Sequence, residues 1–259
     1  MLEKTIGFIG GGRITRIILE GFKRKNQVFK EVIVSDINLD TLNRLKEKFP
    51  KIKISPNDNQ QPASEDIVFV SLHPKAISGV ANEIKTTLKS GAVLISLAPK
   101  LTISKLTEHL DNFERIVRMI PNACSVINAG YNPVAFSQVF DETEKKDLLN
   151  ILAVLGKCPE VKEETLEAYA ILTAMGPTYL WFQLNELEKI GISFGLSSKE
   201  VEEALFLMVT GAADTLFRSE FSPEEVMDLI PAKPFGEEEE NIRNIYRIKL
   251  EALYKKLKG

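Results

Sequence analysis

The chain is poor in the residues that build metal and disulfide centres. Two cysteines, Cys124 and Cys158, and two histidines, His73 and His109, are scattered over 259 residues. Neither pair has the spacing of a zinc site, and two distant thiols make no disulfide framework. No metal is expected. Excess basic charge is missing as well: 33 Lys and Arg stand against 36 Asp and Glu, and the lysines are spread through helices. Nucleic acid is therefore excluded as a partner. No signal segment is expected, because Met1 leads within a few residues into Ile6-Gly7-Phe8-Ile9, a run too short and wrongly flanked for one, and a cytoplasmic protein is expected. Long apolar runs are also scarce. Only Ala168 to Asn185 lacks charge over a length that would span a bilayer. Gly176-Pro177 breaks that run, and Thr173, Thr178, Gln183 and Asn185 would place polar groups in lipid. It reads instead as a helix buried on all sides in a protein core, so no membrane partner is expected.

What is present is alternation. Short β-branched runs, at Lys4–Ile9, Glu31–Ser35, Ile67–Leu72, Val93–Leu97, Ile116–Met119 and Val134–Phe136, read as strands. Between them Arg13–Lys25, Leu39–Lys48, Ala76–Lys89, Ser104–Leu110 and Glu142–Leu155 carry apolar residues at helical spacing. The pattern predicts an α/β fold, a doubly wound parallel sheet of Rossmann type over residues 1–160. Beyond it the alternation stops. Glu164 to Ile190 with a break at Gly-Pro, Ser198 to Arg218, Glu224 to Leu229 and Glu237 to Lys258 read as a second, all-α domain over 161–259. The last helix carries Ile242, Ile245, Tyr246, Leu253 and Leu257 on one stripe, with acidic residues at its start and lysines at its end.

Gly10-Gly11-Gly12-Arg13-Ile14-Thr15 follows a strand and opens a helix, the context in which a glycine pattern binds a dinucleotide. Gly10 permits the tight turn, Gly12 lets the backbone approach a pyrophosphate, and the free N–H groups of the helix start attract an anion. Thr15 stands where a Gly or Ala is usual, and its bulk is expected to hold helix and strand further apart. Asp36 ends the second strand, where a carboxylate accepts ribose hydroxyls and repels a 2′-phosphate. NAD is therefore favoured over NADP, against Arg13, whose guanidinium reaches toward a phosphate or the adenine. Asn59 and the Leu72-His73-Pro74 turn complete the candidate cofactor contacts.

These segments resemble the pyrroline-5-carboxylate reductase family along the whole chain. Ile6 to Gly12 is similar to its first strand and loop, Arg118-Met119-Ile120-Pro121-Asn122 to its Arg-x-Met-Pro-Asn segment, and Leu172 to Tyr179 to its Leu-Ser-Gly-Ser-Gly-Pro-Ala-Tyr stretch. The resemblance implies hydride transfer from NAD(P)H to a small cyclic imine, giving proline, in a homodimer or higher oligomer whose C-terminal helices interleave. It implies substrate contacts at Asn122, Met175, Gly176 and Pro177; Thr173 is a polar catalytic candidate near the substrate, and His73 is one by its own chemistry, as a donor to the cofactor or a proton source near neutral pH. The chain also departs from the family. His73-Pro74-Lys75 replaces Lys-Pro-Gln, Ala98-Pro99-Lys100 replaces Ala-Ala-Gly, and Ile230 to Gly236 replaces the Ser-Pro-Gly-Gly-Thr-Thr loop that holds the substrate carboxylate. Lys233 is the candidate substitute anchor. Two rivals follow from the lost loop: a sister reductase of another imino or oxo acid, and a non-catalytic NAD(P)-binding dimer that acts as a regulator.

Overall fold

The structure, a computed structural model, describes residues 2–258. Contacts divide the chain into two compact units, one running to Met175 and regaining the chain from Leu253, the other spanning Gly176–Ala252. In chain order the first unit holds β1 (Leu2–Ile9), α1 (Arg13–Arg24), β2 (Phe29–Asp36), α2 (Leu39–Lys48), β3 (Lys53–Pro56), α3 (Gln60–Ala63), β4 (Ile67–Val70), α4 (Pro74–Ile84), β5 (Val93–Ser96) and α5 (Ile103–His109). It continues through β6 (Ile116–Met119), a 3-10 turn at Ala123–Ile127, β7 (Gly130–Tyr131), β8 (Val134–Phe136), α6 (Glu142–Leu152), β9 (Gly156–Lys157) and α7 (Leu166–Tyr169).

The main sheet has the order β3-β2-β1-β4-β5-β6-β8. Every pairing is parallel except that of β6 with β8. Strands buried on both faces read as continuous apolar runs, and Ile67 to Val70 is buried throughout. One core layer packs Ile6, Phe8, Phe69 and Val117 against α1, α2 and α6, with Phe8 and Phe69 stacked at 4.8 Å. The other packs Ile9, Val68 and Val70 against α4 and α5. Chain direction across the sheet reverses between β1 and β4, whose ends Ile9 and Val70 are register partners. Loops leaving that point form the crevice where doubly wound sheets take ligands.

β3 and α3 lie outside the sequence expectation. Lys53 to Pro56 is four residues long and closed by proline, too short to show a period. Their placement depends on Gly7, where a Cβ would fall 1.8 Å from the Pro62 carbonyl oxygen, so α3 crosses β1 backbone to backbone. α4 begins at Pro74, two residues earlier than its apolar spacing suggests, because His73 caps it and proline suits the first helical position.

The first unit extends past residue 160, where composition places the domain boundary. Leu166, Ala170 and Ile171 are buried in it, and Glu163 and Glu167 are tied to Arg118. The uncharged run is not one helix: α7 passes into a π-helical turn over Ala170–Ala174, and a new helix, α8 (Pro177–Ser193), opens after Gly176. Nor is it buried on all sides. Leu180, Trp181 and Phe182 are exposed in the single chain, which corrects the expectation of a core helix.

The second unit contains α8, α9 (Ser198–Arg218), α10 (Pro223–Asp228) and most of α11 (Glu239–Lys258). Gly195, at φ +96°, ends α8, and Gly191 allows close packing on Val201, 2.8 Å from where its Cβ would be. Ser197 with Glu200 and Ser222 with Glu225 form capping boxes that start α9 and α10. Among the described residues no helix is long and apolar enough to cross a membrane.

Candidate active site

The glycine loop is built by three local demands. Gly10 has φ +99°, a conformation that L side chains rarely adopt, and a Cβ there would meet the Ser71 carbonyl oxygen at 2.7 Å and Leu72 Cδ2 at 3.0 Å. At Gly11 a Cβ would press on Leu45 and Leu42 at 3.1 and 3.3 Å. Gly12 differs from both: a Cβ there would meet nothing within 4 Å. Protein packing therefore does not explain that glycine, whereas close approach of a ligand does. Gly12 is also the N-cap of α1, with no side chain capping the helix and no acidic residue in its first turn. The N–H groups of that turn are left to an anion.

Asp36 is placed beside this loop, but its oxygens hold backbone. Gly11 N–H donates to Oδ2 and Asn38 N–H to Oδ1, both at 2.8 Å. Thr15 is fully buried, and its hydroxyl donates to the Gly10 carbonyl. The unusual residue thus fastens the loop to the first turn of the helix. Ser71, at the mouth of the crevice, carries a buried hydroxyl oxygen with no hydrogen-bond partner among the described residues. An open seat at Gly12, an uncapped helix start and an unsatisfied hydroxyl beside them fit the pyrophosphate and ribose of a dinucleotide.

The other cofactor candidates fall into two groups. Leu72 borders the loop beneath Gly10, and Pro74 opens α4. Exposed His73 accepts a long hydrogen bond from Lys75 N–H on Nδ1, 3.4 Å, which leaves Nε2 to donate outward. Asn59 is occupied: Ser35 Oγ donates to its Oδ1 and its Nδ2 donates to Glu83 Oε2, each at 2.7 Å. Its amide braces β2 against α4.

Asn122 and Thr173 are brought together. Asn122 Nδ2 donates to the Thr173 carbonyl at 2.6 Å, while its Oδ1 accepts from Cys124 N–H at 2.8 Å. The Thr173 hydroxyl bonds backward to the Tyr169 carbonyl at 2.8 Å, as a helical threonine does. Met175 closes the π-helical turn through its N–H to Ala170. Gly176 and Pro177 begin the second unit, where Tyr179 N–H bonds to the Gly176 carbonyl at 2.9 Å. Lys233 lies farther along that unit and lines a cavity of about 510 Å³ with Met227, Phe235, Arg243 and Tyr246. There the Arg243 guanidinium holds the Glu239 carboxyl below its usual range.

Sequence reading missed the buried cluster behind Ala98-Pro99-Lys100. Arg118, 2% exposed, donates to Glu163 and Glu167, and the same carboxylate oxygens accept the N–H groups of Ile103 and Lys100. A buried arginine in the Arg-x-Met-Pro-Asn segment was the available signal, though its partners lie 45 and 49 residues away. The thiols are poorly reactive by environment: burial pushes Cys158 up to about 11 and raises Cys124 as well.

Known proteins are similar to this chain in sequence and fold. The family described as NADP oxidoreductase, coenzyme F420-dependent, matches residues 5–100, from β1 through the loop after β5. A pyrroline-5-carboxylate reductase of Corynebacterium melassecola is 25% identical over 226 residues, 86% of this chain and 83% of that protein. The Escherichia coli enzyme of the same name is 24% identical over 243 residues, covering 93% and 90%. Among solved structures, the pyrroline-5-carboxylate reductase of Coxiella burnetii superposes with a TM-score of 0.75 at 26% identity over 98% of this chain and 97% of that one. This chain is a divergent relative of the pyrroline-5-carboxylate reductases. The likeness of fold extends to the Plasmodium falciparum pyrroline carboxylate reductase with NADP bound, at a TM-score of 0.82 and 23% identity over 100% and 98% of the two chains. The chain is accordingly an NAD(P)-dependent oxidoreductase of the Rossmann type.

Proposed function

We propose that the chain reduces the C=N bond of a small cyclic imino acid, pyrroline-5-carboxylate being the first candidate, at the expense of NAD(P)H. The observation that carries this reading is the bond from Asn122 to the Thr173 carbonyl. It joins the two segments that most resemble the family, one after β6 and one at the π-helical turn, in a single place.

The nicotinamide supplies a hydride. The chain's own work is to bind and orient: Gly12 and the start of α1 take the pyrophosphate, and the loop of Gly10 and Leu72 fixes where the nicotinamide half can lie. An iminium is already electrophilic, so its carbon accepts the hydride and the C=N electrons pass to nitrogen, which keeps its proton. His73, with Nε2 free to donate, is proposed to hold or deliver a proton where the substrate arrives neutral. The Thr173 hydroxyl, committed to Tyr169 as donor, keeps acceptor capacity for the substrate N–H. Met175, Gly176 and Pro177 are proposed to contact the substrate around that hydroxyl.

The substrate carboxylate requires a new holder. Lys233, from a segment without the family's hydroxyls and paired glycines, is proposed as that point charge. The same replacement favours a second reading, a sister reductase acting on a larger or differently charged imino or oxo acid. A homodimer through α8, α9 and α11 is also proposed, supported by the apolar side chains these helices expose.

The test is oxidation of NADH and NADPH by the purified protein with and without pyrroline-5-carboxylate, followed by a panel of cyclic imines and 2-oxo acids. Turnover dependent on pyrroline-5-carboxylate supports the first reading. Turnover only with another imino or oxo acid supports the second, and cofactor binding without turnover on any of them contradicts both.

A further inference from the structure

A hollow of about 480 Å³ opens at the end of β2 remote from the glycine loop. Leu19 and Phe22 of α1, Phe29 of β2, and Phe49 and Ile52 between α2 and β3 form its floor. β2 leads from Phe29 at this hollow to Asp36 beside the crevice, roughly 23 Å away at about 3.3 Å per residue. The five floor residues all belong to the core layer around Phe8 and Phe69, so an apolar guest in the hollow would continue that core. Val28 adds an apolar side chain that is 40% exposed. The volume is that of a small-molecule site, and such sites join an apolar lining to a few placed polar groups.

The polar groups here are cationic. Lys23, Lys30, Lys48 and Lys51 line the hollow with one acidic residue, Glu31, whose Oε2 already accepts from Lys53 Nζ at 3.0 Å. Two of the lysines have local explanations. Lys23 ends α1 and lies over the Phe49 ring at 5.6 Å, and Lys48 ends α2, where the negative end of a helix favours a cation. Lys48 also borders the basic hollow of Gly12, Arg16 and Arg44, and it is paired with Glu20. Lys30 and Lys51 lie outside any helix, are exposed, and form no ion pair among the described residues.

We propose that this hollow binds a small amphipathic carboxylate, its alkyl or aryl body on Phe22, Phe29 and Phe49 and its carboxylate accepting from the ammonium groups of Lys30 and Lys51. A neutral apolar guest would leave both cations unpaired. An inorganic anion would leave the apolar floor in water, so the two halves of the site together select a molecule with both parts. The distance from the crevice makes this guest a ligand distinct from the dinucleotide and from the substrate reduced there.

The experiment is calorimetric titration of the full chain with octanoate, 1-octanol and acetate, which carry both parts, the tail alone and the charge alone. Octanoate should bind saturably and at least about ten-fold more tightly than either of the others, on the scale of one charge-assisted hydrogen bond. Its advantage over 1-octanol should shrink at higher salt. In the double variant Lys30→Gln with Lys51→Gln, with folding checked by circular dichroism, octanoate affinity should fall about ten-fold while that of 1-octanol stays the same. Saturating NADPH should leave the octanoate affinity unchanged. No saturable octanoate binding at millimolar concentration, or binding no tighter than that of 1-octanol or acetate, overturns the proposal. Octanoate binding untouched by the two substitutions also overturns it, because the guest then sits on another apolar surface such as that of α8 and α9. Binding abolished by NADPH overturns it by placing octanoate in the crevice. No arm depends on turnover, so every outcome leaves the reductase reading as it stands.

Discussion

Arg118 Nη2 donates to Glu167 Oε1 at 2.7 Å in a buried pair, and the same oxygen accepts Lys100 N–H at 3.3 Å. One carboxylate thus pairs with a buried guanidinium and holds the loop after β5. Glu167→Ala leaves Arg118 with Glu163 as its one carboxylate partner and frees Lys100 N–H, so it is expected to lower the unfolding free energy by about 1–3 kcal/mol. Glu167→Gln keeps an acceptor and should cost less. Chemical denaturation of both variants checks the order, and a loss under about 1 kcal/mol for the alanine variant would show that the pair is not buried in solution.

Asn122 makes two bonds with one amide, donating to the Thr173 carbonyl and accepting from Cys124 N–H. Asn122→Ala should destabilise by about 1–3 kcal/mol, the scale of leaving buried partners unsatisfied. It should also reduce turnover on any substrate the enzyme takes. Thr173→Val should leave stability nearly unchanged and lower turnover, because the bond it loses is a local one within its own helical turn. Turnover equal to that of the wild-type protein in Thr173→Val would remove Thr173 from the site.

Asp66 gives the stability a definite pH dependence. Burial raises its carboxyl, but the Thr5 N–H, the Lys89 ammonium and the Thr5 hydroxyl together outweigh burial and bring it below its ordinary 3.8. A carboxyl lowered by folding contributes stability above its unfolded pKa and loses it as pH falls through the folded value. The gap in unfolding free energy between the wild-type protein and Asp66→Asn should therefore be full near pH 5 and narrow below 3.8. A gap constant with pH would contradict this account.

The proposed dimer can be weighed directly. Phe182 and Phe217 are 68% and 80% exposed on α8 and α9. Analytical ultracentrifugation should give twice the mass of the chain for the wild-type protein and a single-chain mass for Phe182→Glu or Phe217→Glu. A wild-type protein that remains single at micromolar concentration would contradict the proposal.

The strands were legible because each is a buried β-branched run, and the glycine loop because it sits between such a run and an amphipathic helix. β3 and α3 were not, since four residues carry no period and their fit depends on the missing side chain of Gly7. The local bonds of Asp36 and Asn59 were not legible for a common reason. Both are polar residues near the crevice, and only the fold shows the backbone N–H groups that Asp36 accepts and the Ser35 and Glu83 partners of Asn59. Arg16 and Arg44 were invisible as a pair, lying 28 positions apart on different helices, yet they line one hollow beside Gly12. The exposed face of α8 looked like a core in sequence because an apolar helix does not announce whether its own chain or another covers it.

Gly12 separates the demand of a ligand from the demand of packing. Its φ of −72° suits any residue, and an added Cβ meets no atom within 4 Å. Gly12→Ala should therefore fold with stability within about 1 kcal/mol of the wild-type protein, because alanine restricts the unfolded chain but is a poorer N-cap than glycine. A bound pyrophosphate would meet that methyl. Calorimetric titration with NADPH and NADH, beside thermal unfolding of the ligand-free protein, should show affinity reduced at least about ten-fold with only a small change in Tm. Unchanged affinity in a well-folded Gly12→Ala protein would contradict the placement of the dinucleotide on this loop.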